Sequence, residues 1–274
     1  MEFFSIASGS SGNCVCIGTE AGRFLVDAGI STKRIAAGLQ TQWIQGEDIR
    51  GLFVTHEHSD HIKGLPVLVK KYRIPVYGTA ETLRKIRATA QGAELPGELL
   101  HPIQAGETLR FDRLKVKAFS VPHDAANPVA YTFCENGTKI ALATDLGYVD
   151  ECILRQLRDA NLLYIESNYD RNMLLVGIYP YPLKQRILGE YGHLSNDDSA
   201  AVVRSVLHEN LKAVVLAHLS KENNYPELAY QTMENELRAS WHYAGEPPRL
   251  LVARRDEPTE MITVSCGEPC VGSL

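Results

Sequence analysis

Between positions 56 and 61 the chain reads His56-Glu57-His58-Ser59-Asp60-His61, so three histidines and an aspartate, His56, His58, Asp60 and His61, fall within six residues as candidate metal ligands. An apolar run, Gly51 to Thr55, leads directly into this cluster. A helical spacing of Ile62, Leu65, Leu68 and Val69, running from His61 to Tyr72 despite Pro66, leads out of it. The cluster therefore sits at a strand-to-helix junction. In extended backbone residues two apart share a face, so His56 and His58 can share one cation. Where the chain bends into the helix, Asp60 and His61 turn toward a neighbouring point and can hold a second. A polar loop capped by Asp60 would explain one aspartate, but not three histidines crowded at a strand end, where protonation would make them repel.

Two cations need more ligands than this stretch supplies, and later strand ends offer them. His123 follows Ser120-Val121-Pro122, Asp145 follows the run Ile140 to Thr144, and His218 follows Val214 to Ala217. Each is a polar residue that ends an apolar strand, so all three can converge at one edge. Any one alone would read as a loop histidine or a turn aspartate; together, at matching strand ends, they read as ligands.

The rest of the chain supplies the frame. Strands are expected at Phe3 to Ile6, Asn13 to Gly18 and Arg23 to Asp27, joined as hairpins, with Ser31 capping a helix through about Leu39. A strand at Pro75 to Tyr77 and a helix at Ala80 to Ala90 follow. Strands return at Lys115 to Val121, Val129 to Cys134 and Lys139 to Thr144, with Asn136-Gly137 as a hairpin turn. Helix, strand, helix, strand then alternate over Glu151 to Asp159, Leu162 to Glu166, Asn196 to Leu207 and Ala213 to Ala217. No repeat or Pro- and Gly-rich linker interrupts this order, so residues 1–274 are read as one domain of layered α/β architecture. The segment Asn168 to Leu194, rich in Tyr, Pro and Gly, is the least regular and is expected to be a loop over the site.

Composition excludes several classes. Apolar runs are too short to span a bilayer, and the start lacks the basic n-region of a signal peptide, which points to a cytoplasmic protein without a membrane partner. The six cysteines form no paired C-x-x-C knuckles, and Cys14 and Cys16, two apart in a strand, suit small buried hydrophobes. A net charge of −5 argues against a generally basic nucleic-acid binder, although it counts carboxylates that would sit on metal.

The pattern His56-x-His58-x-Asp60-His61 with His123, Asp145 and His218 in order resembles the metallo-β-lactamase fold superfamily over nearly the whole chain. That resemblance implies a four-layer αββα sandwich. It implies His56, His58, His123 and Asp145 on one metal and Asp60, His61, Asp145 and His218 on the other, with Asp145 bridging. Gly9-Ser10-Ser11-Gly12-Asn13, Val26-Asp27-Ala28-Gly29, Gly192-His193-Leu194-Ser195-Asn196 and His218-Leu219-Ser220-Lys221-Glu222-Asn223-Asn224 are more closely similar to its YycJ/WalJ (VicX) branch. Members of that branch are described as 5′-to-3′ DNA exonucleases or as unassigned hydrolases. Zinc and manganese both occur across the superfamily, with iron a further option.

The expected chemistry is hydrolysis by a hydroxide held between two divalent ions, which lower the pKa of water and stabilise charge on a phosphoryl group. Asp60 would orient the hydroxide while ligating. His193, left over once the metals are satisfied, is the candidate acid for the leaving alkoxide, as a similar extra histidine contacts substrate in phosphodiesterase relatives. A loop histidine bonded to backbone is its competing reading. The resemblance favours Asp27 as acceptor for a ligand histidine's other nitrogen over a plain turn aspartate. Ser10 and Ser11 lie on a loop, Ser8 to Asn13, that could offer backbone N–H groups to a phosphate or simply connect a hairpin. Asn168, Lys184 and Arg186, with Tyr179 and Tyr181, are candidate contacts to a nucleic-acid strand. His101, His208 and His242 read as surface residues. A DNA nuclease leads; hydrolysis of a small ester, thioester or lactam uses the same metals, and a regulatory partner role is disfavoured by the full ligand set.

Overall fold

The computed structural model describes residues 1–266. Its first sheet starts with the expected antiparallel strands β1 (Glu2–Ala7), β2 (Cys14–Thr19) and β3 (Gly22–Val26). Helix α1 (Thr32–Gln40) follows, and the Ser31 hydroxyl accepts from the Arg34 N–H at its start. The parallel strands β4 (Ile49–Phe53), β5 (Val76–Thr79) and β6 (Leu100–Ile103) extend the sheet. Helices α2 (Ser59–Ile62), α3 (Leu65–Tyr72) and α4 (Ala80–Arg87) fill the crossovers.

The second sheet opens with antiparallel β7 (Thr108–Phe111), β8 (Leu114–Ser120), β9 (Val129–Glu135) and β10 (Thr138–Ala143). Asn136 and Gly137, with φ of 49° and 81°, turn β9 into β10 as the sequence suggests. Next come α5 (Glu151–Leu157), β11 (Leu162–Glu166), α6 (Arg171–Val176), α7 (Tyr181–Leu188), α8 (Asn196–Val206), β12 (Ala213–Ala217), α9 (Pro226–Ser240) and β13 (Arg249–Val252). β11, β12 and β13 run parallel to β10. β14 (Ile262–Thr263) then returns to the edge of the first sheet beside β1. The orders are β14-β1-β2-β3-β4-β5-β6 and β13-β12-β11-β10-β9-β8-β7.

Period-2 alternation sorts the apolar residues into layers. Along β11, Leu162 and Tyr164 join Phe3, Phe24, Phe53 and Phe133 between the sheets. Leu163 and Ile165 pack instead against α5, α8 and α9 through Ile153, Val203 and Met233. On the far side, Leu25 and Leu52 meet Ile35, Leu65 and Ile86 from α1, α3 and α4. Helices, sheet, sheet, helices make the four-layer αββα sandwich. Cys14 and Cys16 are buried on one face of β2, and the described cysteines are free thiols; the sixth, Cys270, lies outside the described residues. Among the described residues no helix is long and apolar enough to cross a membrane.

Two expectations are corrected. The helix read across His61 to Tyr72 is split into α2 and α3 at Gly64, where a Cβ would lie 1.8 Å from the Ile30 carbonyl oxygen, and Pro66 sits in the first turn of α3, where no N–H is needed. The segment Asn168 to Leu194 is not a plain loop: it carries α6, capped by Asp170, and α7, with a proline in its first turn. Only Leu174 of α6 is buried and no residue of α7 is, so neither helix displays an apolar stripe for periodicity to detect.

Candidate metal centre

Strands β3, β4, β8, β10, β11 and β12 end at one edge of the sandwich, and the polar residues that close them meet there. Asp27, Asp145 and His218 turn the chain off β3, β10 and β12 with φ of 60°, 60° and 55°. Left-handed backbone at a non-glycine residue costs of order 1–3 kcal/mol and clusters at functional sites. Its effect here is to aim each side chain into the gap between the sheets.

One group of ligand atoms is His56 Nε2, His58 Nδ1 and His123 Nε2, with His58 Nδ1 3.0 and 3.3 Å from the other two. Their far nitrogens are occupied: the Thr55 hydroxyl lies 3.0 Å from His56 Nδ1, and His123 Nδ1 donates to the Gly192 carbonyl at 3.2 Å. A second group is Asp60, His61 and His218, where Asp60 Oδ2 is 3.4 Å from both His61 Nε2 and His218 Nε2. The His61 Nδ1–H donates to Asp27 Oδ2 at 2.7 Å, and Asp27 is held by the Thr55 N–H and hydroxyl. Asp27 thus stands behind His61 and fixes which ring nitrogen faces inward.

Asp145 lies between the groups, with Oδ2 3.4 Å from His61 Nε2 and Oδ1 3.9 Å from His123 Nε2. Its Oδ2 is fully buried and accepts no hydrogen bond. A carboxylate oxygen left unpaired in the interior is costly, and a cation satisfies it. The donor set of imidazole and carboxylate fits a divalent metal.

The electrostatics divide the cluster. Burial, reinforced by neighbouring imidazoles, pushes His56 far below the ordinary histidine value, and burial lowers His123 as well. Burial also opposes charge on His61 and His218, but Asp145, Asp27, Asp60 and Glu166 overcome it, raising His61 strongly and His218 to about 10. Burial would raise the Asp60 carboxyl, yet His61 and His218 hold it well below its usual range.

Residues 22–219 match the β-lactamase superfamily domain. The chain is 39% identical to exodeoxyribonuclease YycJ of Bacillus anthracis over 90% of its own length and 92% of that protein. It is also 39% identical to exodeoxyribonuclease WalJ of Streptococcus pneumoniae, over 86% of its length and 88% of the relative. The chain belongs to the metallo-β-lactamase superfamily, in its YycJ/WalJ branch. Zinc-bound PqqB from Methylobacterium extorquens shares the fold, with a TM-score of 0.69 at 14% identity over 95% of this chain and 100% of that one.

The other expected residues are distributed unevenly around the cluster of this metallo-β-lactamase fold protein. His193, Asn168, Ser10 and Arg186 line a cavity of about 170 Å³ at its mouth, together with His218 and Asp124. Asn168 donates to the His218 carbonyl at 2.7 Å. Arg186 is already paired at 2.5 Å with Asp124, and Lys184 reaches the Leu175 carbonyl outside the cavity lining. In the loop Ser8 to Asn13, the N–H groups of Ser8, Gly9, Gly12 and Asn13 are spent within the protein, so the loop is no open row of donors. His101 and His208 are half-buried and His242 is exposed, all away from the site.

Two residues of the site, and one that lies beside it, escaped the sequence reading. Glu166 is fully buried and its Oε1 accepts from His193 Nδ1 at 2.7 Å and His218 Nδ1 at 2.9 Å, while Oε2 accepts from the Leu146 and Leu194 N–H groups. It ends β11 just as Asp145 and His218 follow β10 and β12, so the strand-end rule applied consistently would have found it. Asp124 follows His123 directly, with Oδ1 3.4 Å from His123 Nε2. Arg255 lies against Ser10 and Ser11 across 245 and 244 residues of sequence, a contact no local signal announces.

Proposed function

We propose that this chain is a dinuclear metal-dependent phosphodiesterase that degrades DNA, with 5′-to-3′ exonuclease polarity. The observation that carries the reading is the pair of ligand groups meeting at an Asp145 carboxylate with an unpaired buried oxygen, in a chain 39% identical to exodeoxyribonucleases. His56, His58, His123 and Asp145 would hold one ion and Asp60, His61, Asp145 and His218 the other, zinc or manganese by their donors. Divalent ions there supply an acidified water and neutralise charge on the phosphoryl oxygens.

The protein's own groups do the rest. Asp60 orients the attacking water. His193 donates through Nδ1 to Glu166, which leaves Nε2 to carry a proton to the departing oxygen. Burial opposes charge on His193, but Glu166 and Asp145 raise it above the ordinary value, which favours the protonated form that an acid needs. Arg186 and Asn168 line the entry for the strand. We also read the chain as a single domain, because the core between the sheets draws on residues from Phe3 to Val264, and as cytoplasmic, which the free thiols support.

Metal-titrated digestion of end-labelled single- and double-stranded DNA tests the reading. Release of nucleotides from the 5′ end under zinc or manganese is expected. Efficient turnover of a chromogenic thioester or lactam, with DNA and RNA left intact, overturns it.

A further inference from the structure

The geometry points to Arg255 as the seat for a backbone phosphate next to the one being cut, an inference that rests on the nuclease reading. The other arginines around the site are neutralised: Arg186 by Asp124, Arg254 by Glu257 at 2.8 Å, and Arg34 by Asp256 at 3.1 Å. Among the described residues Arg255 makes no ion pair. Its guanidinium donates instead to neutral groups: Nη1 to the Ser10 and Ser11 hydroxyls at 3.4 and 3.1 Å, and Nη2 to the Leu219 carbonyl at 2.8 Å. Of the five N–H donors of an arginine, three are used and two remain.

This charge is held in place before any ligand arrives. It rests against Gly9, where a Cβ would stand 2.9 Å from Nη1, so a side chain at position 9 would displace it. Uncompensated yet fixed on neutral acceptors, the guanidinium keeps its full field and has little rotamer freedom left to lose on binding an anion.

Its location connects it to the centre. The cavity at the mouth of the cluster, walled by Ser10, His193 and His218, shares Ser220 with a second groove of about 470 Å³. That groove is lined by Lys221, Tyr225, Arg254 and Arg255. Tyr225 is 59% exposed, and its ring offers a face for a base beside the phosphate seat. A strand leaving the metals past Ser220 enters the groove that Arg255 lines.

The test uses Arg255→Gln, which keeps polar contacts to the loop while removing the charge, with Arg255→Lys as a partial rescue and melting temperature as a folding control. DNA binding is read by anisotropy of a labelled single-stranded oligonucleotide across a salt series, and cleavage of that DNA and of bis(p-nitrophenyl) phosphate is read alongside. For Arg255→Gln the expected result is affinity for DNA weaker by about tenfold or more. The slope of log K against log salt should flatten by about 0.7, the value for one lost phosphate contact on a single strand. Turnover of the small diester, which has only one phosphate, should stay within about twofold, and Arg255→Lys should recover part of the binding. Parental affinity and slope in Arg255→Gln overturn the seat, as does an equal loss on the small diester. If the parent binds DNA without cutting it, the nuclease reading fails while the binding comparison still judges Arg255; a parent that does not bind DNA overturns both.

Discussion

At the scale of single residues, Asp145 differs from the other members of the cluster because it faces both ligand groups. Asp145→Ala should lower metal content at both positions, whereas His58→Ala should mainly empty one; elemental analysis of the purified variants decides, and a full complement in Asp145→Ala refutes the bridging role. His193→Ala should keep its metals and lose at least about tenfold in DNA turnover, since positioned acid catalysis contributes about 10²–10⁴-fold. Unchanged turnover on a substrate with a poor leaving group removes His193 from the chemistry. Most of this site was legible because its residues have a local signature, either crowding at positions 56 to 61 or a polar residue closing an apolar strand. Glu166 carried the same signature but follows β-branched and aromatic residues so smoothly that it reads as the last residue of a strand. Arg255 was not legible at all, because its position beside Ser10 and Ser11 is created by a contact across the whole chain.

At the scale of elements, the loop from His56 to His61 is shaped by segments that contribute no ligand. The Asp60 carbonyl accepts from the Asn13 N–H and the His61 carbonyl from the Ala28 N–H, each at 2.8 Å, which pins the ligand loop to the turns after β1 and β3. Gly29 makes this approach possible, since a Cβ there would stand 1.6 Å from the Asp60 carbonyl oxygen. Gly29→Ala should therefore displace Asp60 and His61, at a cost of about 1–3 kcal/mol for the overpacking. It should weaken metal binding although it removes no ligand; chemical denaturation and metal analysis check both effects, and parental values in each would show that the loop is not held this way. Strands β1 to β5 and β8 to β12 and helices α1, α4, α5 and α8 were readable from periodicity, whereas β6, β7, β13, β14 and the long helix α9 were not picked out. The break between α2 and α3 and the short helices α6 and α7 were not, because a close backbone contact or an N-cap decides them, not an apolar stripe.

At the scale of the whole molecule, the divided electrostatics make stability depend on pH in a definite sense. In metal-free protein the raised value of His218, about 10, stabilises the fold fully below the unfolded histidine value of about 6.5 and is lost as pH rises through about 10. His61 acts in the same direction. His56 and His123 are depressed, so on falling below about 6.5 the unfolded chain takes up more protons and stability drops again. Chelator-treated protein should accordingly melt highest near pH 6.5 and lower at pH 9.5, and metal should flatten the alkaline limb because ligating imidazoles are neutral. A metal-free melting temperature that climbs steadily to pH 9.5 contradicts this. The cluster draws on both sheets and on residues from Asp27 to His218, with Glu166 and Asp145 in between. Chains emerge from the ribosome N-terminal end first, so a nascent chain that already displays positions 56 to 61 still lacks the opposite wall. A divalent ion that needs ligands from both walls would therefore meet its full donor set only in the finished chain.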